Sequence, residues 1–157
     1  MRKIFRCEPP PTRGAICIAR IHDRIVGSLV LQSTKHDCPF PIEDHYDFDP
    51  KEMPFPFSRS EVVQATRWIA TEPGVSLRVV KACGWIAHGF EKRYMFIEAK
   101  PYSVERLCEL GLDCRIVKNA VLVPERVRES VGEAGIFYYT EHPLPTLCIF
   151  PIAPLLI

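Results

Sequence analysis

Residues 61–111 constrain the fold more than any other stretch of this chain. The run 61–71 is β-rich and contains Gln64-Ala65-Thr66-Arg67, and Pro73-Gly74 breaks it. From 76 to about 90, Val79, Val80, Cys83, Ile86, Ala87 and Phe90 recur at the spacing of a buried helical stripe. Arg78, Lys81, Trp85, His88 and Lys92 fall on another face. A short apolar strand, 94–99, follows, interrupted only by Glu98. Pro101 opens a second helix with Val104, Leu107 and Cys108 inward and Gly111 as its stop. This order predicts two parallel neighbouring strands joined by helix 76–90 in a right-handed crossover. A strand feeding a turn of free N–H groups at a helix start suits an anionic or amide-bearing arm, and the next strand forms the other wall.

The flanks are less regular. Residues 15–21 and 24–32 read as a hairpin turning at His22-Asp23, with Gly27 relieving crowding in its second strand. Five prolines punctuate 33–59, a long irregular crossing whose Phe40, Tyr46, Phe48, Phe55 and Phe57 suggest packing over a groove. Beyond Gly111, 112–117 and 120–123 are strand-like, 124–131 reads as a short helix with proline at its start, and 136–139 is again β-rich. The tail 141–157 is apolar and broken by Pro143, Pro145, Pro151 and Pro154, so it must pack onto this domain or onto a partner chain.

At 157 residues the chain is one domain, with a core over about 14–140. Twenty basic residues against 19 acidic ones give no global pull toward nucleic acid or anionic lipid. No apolar run reaches the roughly 18 residues of a membrane span. Glu8-Pro9-Pro10-Pro11 interrupts the basic start where a signal peptide needs an apolar stretch. Seven cysteines, an odd number without a CxxC, read as reduced thiols of a cytoplasmic protein. His36-Asp37-Cys38 and His45 lack the paired spacing of zinc ligands, so no metal site is expected.

Several segments together carry a family resemblance over about 14–118. Ile25 to Leu31, Phe40-Pro41-Ile42-Glu43-Asp44-His45, Gln64-Ala65-Thr66-Arg67, and Pro101 to Leu107 followed by Gly111 stand in the order and spacing of family segments. The chain resembles the GNAT acyltransferases, within them the branch of the acyl-homoserine-lactone (autoinducer) synthases and the exosortase-associated acyltransferases. It departs from that pattern at Gln64, where the family has a carboxylate, at Thr66, where it has serine, and at Val30, where it has arginine. These departures weigh against lactone synthesis itself and leave a different acyl transfer open.

The resemblance implies an α/β fold, a mixed twisted sheet of six to seven strands with helices on both faces. It also implies an N-acyltransferase moving an acyl group from a thioester to a small amine, with no tightly bound cofactor. The alternative is a non-catalytic binding or assembly module on the same fold, its apolar tail a possible homo-oligomer interface. Glu61 and Glu98 are the candidates to deprotonate the amine, and Tyr102 to protonate the leaving thiolate. Gln64, Thr66 and Arg67 would line the donor strand. Gln64 is either a donor contact or a hydrogen-bonding filler, and Arg67 either meets an anionic group or forms a structural ion pair. The turn bearing Gly74, Val75 and Ser76 would receive a phosphate but does not fit the coenzyme-A signature R/Q-x-x-G-x-G/A. It is compatible with the single phosphate of an acyl carrier protein, which Arg78 and Lys81 of the basic stripe would meet, unless that stripe is only a solvated face.

Overall fold

The computed structural model of the chain describes residues 14–33 and 40–157. The basic N-terminal flank, Cys7 and the His36-Asp37-Cys38 run lie outside the described residues. The hairpin forms as its pattern predicts: β1, Ala15–Ile21, pairs antiparallel with β2, Arg24–Gln32. Gly27 is required there by space, since a Cβ would fall 2.5 Å from the Val75 side chain. The crossing then makes a 3-10 turn over Pro41–His45 and a two-residue strand β3, Tyr46–Asp47, before β4, Val62–Ala70. Helix α1, Val75–Gly89, returns the chain to β5, Tyr94–Ala99, which lies parallel to β4.

Helix α2, Pro101–Glu109, ends as its sequence requires. Gly111 is left-handed at φ +84°, and the N–H groups of Gly111 and Leu112 bond back to Cys108 and Leu107. Two short strands follow, β6, Arg115–Ile116, and β7, Val121–Leu122, then α3, Pro124–Gly135, and α4, Phe137–Thr140. The tail supplies β8, Thr146–Pro151, and a last turn, Ala153–Leu156. The main sheet has six strands in the order β1-β2-β4-β5-β8-β6, mixed in direction, and β3 pairs with β7 apart from it.

Strand alternation sends successive side chains to opposite faces, and each face has its own core. Under α1 and α2 lie Val26, Leu29, Leu31, Val63, Ala65, Met95, Ile97, Cys148 and Phe150, packed against Val79, Val80, Cys83, Ala87, Val104 and Leu107. Under the crossing lie Val62, Phe96, Leu147 and Ile149 with Phe40, Ile42 and Tyr46. The crossing is therefore a covering layer that packs its aromatic residues on the sheet, with Phe40 and Tyr46 buried and Phe48, Phe55 and Phe57 half-buried. The tail packs onto this domain. Leu147, Cys148, Ile149 and Phe150 are interior, and Leu155 is buried with the core under α1.

Three expectations are corrected. Residues 136–139 are a helical turn, not a strand, because Ile136 and Tyr139, three apart, both turn inward onto Val127, and packing overrides their β propensity. Phe90 is 68% exposed, since the helix has ended at Gly89 and Phe90 caps it outside the stripe. Cys108 is also exposed: α2 buries only Val104 and Leu107, and Cys108 sits one residue round from that narrow face.

Candidate functional site

β4 and β5 pair in parallel from Val62↔Tyr94 to Ala65↔Ile97, and there the pairing stops. Beyond it β4 continues along β2 with a register shift, and Arg67 takes a left-handed φ of +54°. Such a bulge bends and twists a strand, and a non-glycine residue at positive φ is uncommon. β5 continues instead along β8 through Glu98 and Ala99. The strands thus part at Thr66 and Glu98, leaving a fork. On its β4 side the chain enters α1 through Gly74, a left-handed N-cap at φ +75° with no side-chain cap. The amides of that first turn point out of the helix start toward whatever anion lies there.

Glu98 is the polar centre of this fork. Its side chain is 10% exposed, one oxygen 2.7 Å from His45 Nδ1, and Tyr139 donates its hydroxyl to the other, also at 2.7 Å. The Tyr139 ring stands edge-on to the imidazole, with centroids 5.4 Å apart. Burial, reinforced by Glu98, holds the Tyr139 and Tyr46 hydroxyls far above the usual phenol range, so both stay donors. Tyr46 gives its proton to the Pro145 carbonyl, 3.3 Å away. Lys100, buried where α2 begins, donates to the Glu141 carbonyl at 2.6 Å and lies over the Tyr138 ring. Burial lowers its pKa, with Glu141 opposing. One atom of the cluster is unsatisfied: His45 Nε2 is buried with no hydrogen-bond partner among the described residues.

A second polar group lies beside the crossing. Buried Glu43 accepts from the Phe40 N–H and holds Arg59 by two bonds of 2.5 and 2.8 Å. Glu43 and Arg59 border a cavity of about 170 Å³ whose other walls are Phe40, Met53, Phe57, Val62 and Phe96. Between the two clusters sits Gln64, 4% exposed, accepting from the Ile42 N–H at 3.1 Å and donating to Gln32 at 3.2 Å.

The fork gathers some of the residues singled out in the sequence and leaves others away. Glu98, Thr66 and Arg67 stand at it, and Gly74, buried Val75 and half-buried Ser76 form the turn behind. Glu61 does not join them. It precedes the first paired residue of β4, roughly 16 Å along the strand from Thr66 at about 3.3 Å per residue. There it accepts from the Ser58 N–H and pairs with Arg93 at 2.9 Å, and these contacts hold its carboxyl below the usual range. Tyr102 is 65% exposed on the first turn of α2. Of the basic stripe, Arg78 and His88 are exposed, whereas Lys81 donates to the Ile157 carbonyl and Lys92 to that of Ser60. Sequence reasoning missed Tyr139, Lys100 and Arg59; it placed Glu43 and His45 in a family-like segment but gave neither a role in the transfer, and weighed His45 besides only as a metal ligand. A lone carboxylate inside the apolar run Met95-Phe96-Ile97 was the available signal that Glu98 must find buried partners. Among the described residues no group of three or more His, Cys, Asp or Glu could hold a metal ion. No described helix is long and apolar enough to cross a membrane.

No family profile matches the sequence. No curated protein matches it either. Solved structures do. The coenzyme-A-dependent acyl-homoserine lactone synthase BjaI, solved with SAM and isopentyl-CoA, superposes at a TM-score of 0.57 with 14% identity, over 87% of this chain and 57% of its own. The synthase LasI gives 0.57 at 10% identity over 87% and 64%. TofI in its apo form gives 0.59 at 15% over 89% and 71%. The chain thus spans 57% and 64% of the length of the first two. Its six-stranded mixed sheet, its β4–α1–β5 crossover and its fork are the architecture of a GNAT-like domain, and this chain has the fold of the acyl-homoserine lactone synthases.

Proposed function

We propose that the protein transfers an acyl group from a thioester to a small amine at the β4–β5 fork. The observation that carries this reading is the fork itself: two parallel strands that part after Ala65 and Ile97, with a buried carboxylate on one and a bulge on the other. The open edge of β4 beyond Ala65 would hold the donor's amides, and the turn at Gly74 its phosphate. The thioester carbonyl would then sit in the gap. The amine nitrogen attacks that carbon, the C–S bond breaks, and the thiolate leaves without a covalent enzyme intermediate. The crossing would cover the acyl chain, for which the cavity between Phe40, Phe57 and Phe96 offers apolar walls.

A neighbour of this fold was solved with isopentyl-CoA. For this chain we favour a carrier-protein donor, because the 72–76 turn lacks the coenzyme-A signature. Arg78 remains available to an acidic partner, while Lys81 is partly engaged by a backbone carbonyl. Four of the five described cysteines are buried and all five are free, which suits a reducing, cytoplasmic setting. A non-catalytic relative is the second reading, supported by Gln64, whose amide is spent on Ile42 and Gln32.

Incubation with acyl carrier protein and acyl-coenzyme A of several chain lengths, plus a panel of small amines, followed by mass detection of amide, tests the reading. Amide formation from the carrier protein, weakened by Arg78→Glu and Lys81→Glu and by rising salt, is the expected result. Full turnover on acyl-coenzyme A alone, untouched by those reversals, would sink the carrier-protein donor. No binding of either donor at millimolar concentration would leave the non-catalytic module.

A further inference from the structure

We propose that His45 is the base of this transfer: the attacking amine gives its proton to Nε2, with Glu98 as the residue that positions the imidazole and Tyr139 as the one that positions Glu98. The inference rests on the acyl-transfer reading and adds to it the group that moves the proton.

Three observations converge on this assignment. Both oxygens of Glu98 are taken, one by His45 Nδ1 and the other by the Tyr139 hydroxyl. Each oxygen of the carboxylate is held by a protein group, which places Glu98 to orient its neighbours. That contact makes Nδ1 the protonated nitrogen, so the lone pair lies on Nε2. Nε2 is buried and has no hydrogen-bond partner among the described residues. A carboxylate behind one imidazole nitrogen with a free lone pair on the other is the arrangement that serves as a general base.

Placement is the second strand of the argument. In the turn Pro41–His45, residues three apart eclipse one another, so Ile42 and His45 share a side, and both are buried. The Ile42 N–H is tied to Gln64, one pair short of the last β4–β5 pair. His45 is thereby delivered to the fork, where it meets Glu98. The rival positions fail on geometry or chemistry. Glu61 lies at the opposite end of the paired strands, held by Ser58 and Arg93, and the amide of Gln64 cannot remove a proton.

The step balances without a further reactant. Nitrogen bonds to the thioester carbon, the carbon–sulfur bond breaks, and the proton lost by nitrogen passes to Nε2 and from there to the departing sulfur. The ionisable groups in contact with the imidazole are Glu98 from β5, at Nδ1, and Tyr139 from α4, edge-on to the ring; beyond them Tyr138 of α4 stacks edge-on against Tyr139, and Lys100 lies over the Tyr138 ring. Glu98 bonds the ring at Nδ1, so it fixes the orientation of the imidazole and the nitrogen that carries the proton.

Single-turnover transfer measured against pH with the donor and amine that the panel identifies tests the assignment. His45→Gln should lower kcat by about 10²–10⁴-fold, with KM within a few-fold of wild type and the acid limb of the profile gone. Glu98→Gln keeps an acceptor for Nδ1–H but removes the anion that favours imidazolium, so its acid limb should move to lower pH. Should His45→Gln fail to fold, the Glu98→Gln profile decides alone. An unmoved acid limb there, or a His45→Gln variant with wild-type kcat, overturns the assignment while transfer by the wild-type protein stands. A wild-type protein that transfers from neither donor overturns the acyl-transfer reading and this base with it.

Discussion

The two faces of the main sheet are built on the same strands and are covered in opposite ways. Under α1 and α2, every member of the buried cluster is apolar. Under the crossing, the buried set includes Glu43, His45 and Gln64, with Glu98 beside them. The difference follows from what lies on top. A regular helix satisfies its own N–H and C=O groups and asks only for apolar contact. An irregular segment cannot, and each of its buried backbone groups needs a partner from elsewhere. Gln64 takes the Ile42 N–H and Glu43 takes the Phe40 N–H for this reason. Once a layer must be held by buried polar side chains, it is also where a proton acceptor such as His45 Nε2 can be kept out of water.

The comparison breaks most visibly on the helical face. Phe150 is 1% exposed in the cluster under α1, and Phe150→Ala should cost about 3–5 kcal/mol through lost burial and the cavity left behind. Urea denaturation measures this, and a loss below about 1 kcal/mol would mean that α1 does not close a packed core.

On the crossing face the largest loss should come from a charge. Glu43→Ala removes the acceptor of the Phe40 N–H and two bonds to Arg59, at a cost of about 1.5–3 kcal/mol. Gln64→Leu follows at about 1–2 kcal/mol, since the leucine fills the space but strands the buried Ile42 N–H and the Gln32 amide. Hydrogen exchange at Ile42 should speed up in that variant. Protection left as in wild type would show that the crossing is held by its aromatic residues alone.

How much of this was legible in the sequence divides along the same line. Period-2 and period-3.6 patterns gave the hairpin, β4, α1, β5 and α2 to within a residue or two, because regular elements announce the face they bury. The crossing announced only that its aromatic residues would pack. Its partners come from 22 to 53 residues away, as with Gln64 for Ile42 and Glu98 for His45, and no local period encodes such pairs. Tyr139 was misread for a related reason: its run looks β-forming, while its side chain is claimed by Glu98, 41 residues earlier. Glu98 and Glu61 were singled out together, because the resemblance calls for a carboxylate to deprotonate the amine. Glu98 stands at the fork, whereas Glu61 precedes the first paired residue of β4.

That last contrast supplies the smallest effect and the sharpest discrimination. Contacts first with the Ser58 N–H and then with Arg93 hold the Glu61 carboxyl below its ordinary 4.5 in the folded chain. A carboxyl lowered on folding adds stability that is fully present above the unfolded value and is lost as pH falls through the folded one. Melting temperature should therefore decline from about pH 4.5 downward, and Glu61→Gln should flatten part of that decline by lowering the neutral-pH value slightly while leaving the low-pH value as in wild type. The effect is small because Arg93 is 68% exposed and the pair is screened by salt. The same variant should leave acyl transfer at wild-type rates, whereas Glu98→Gln shifts its pH profile. Should Glu61→Gln abolish transfer with the melting curve intact, the reacting amine sits at the entrance of β4 and the fork is not the site.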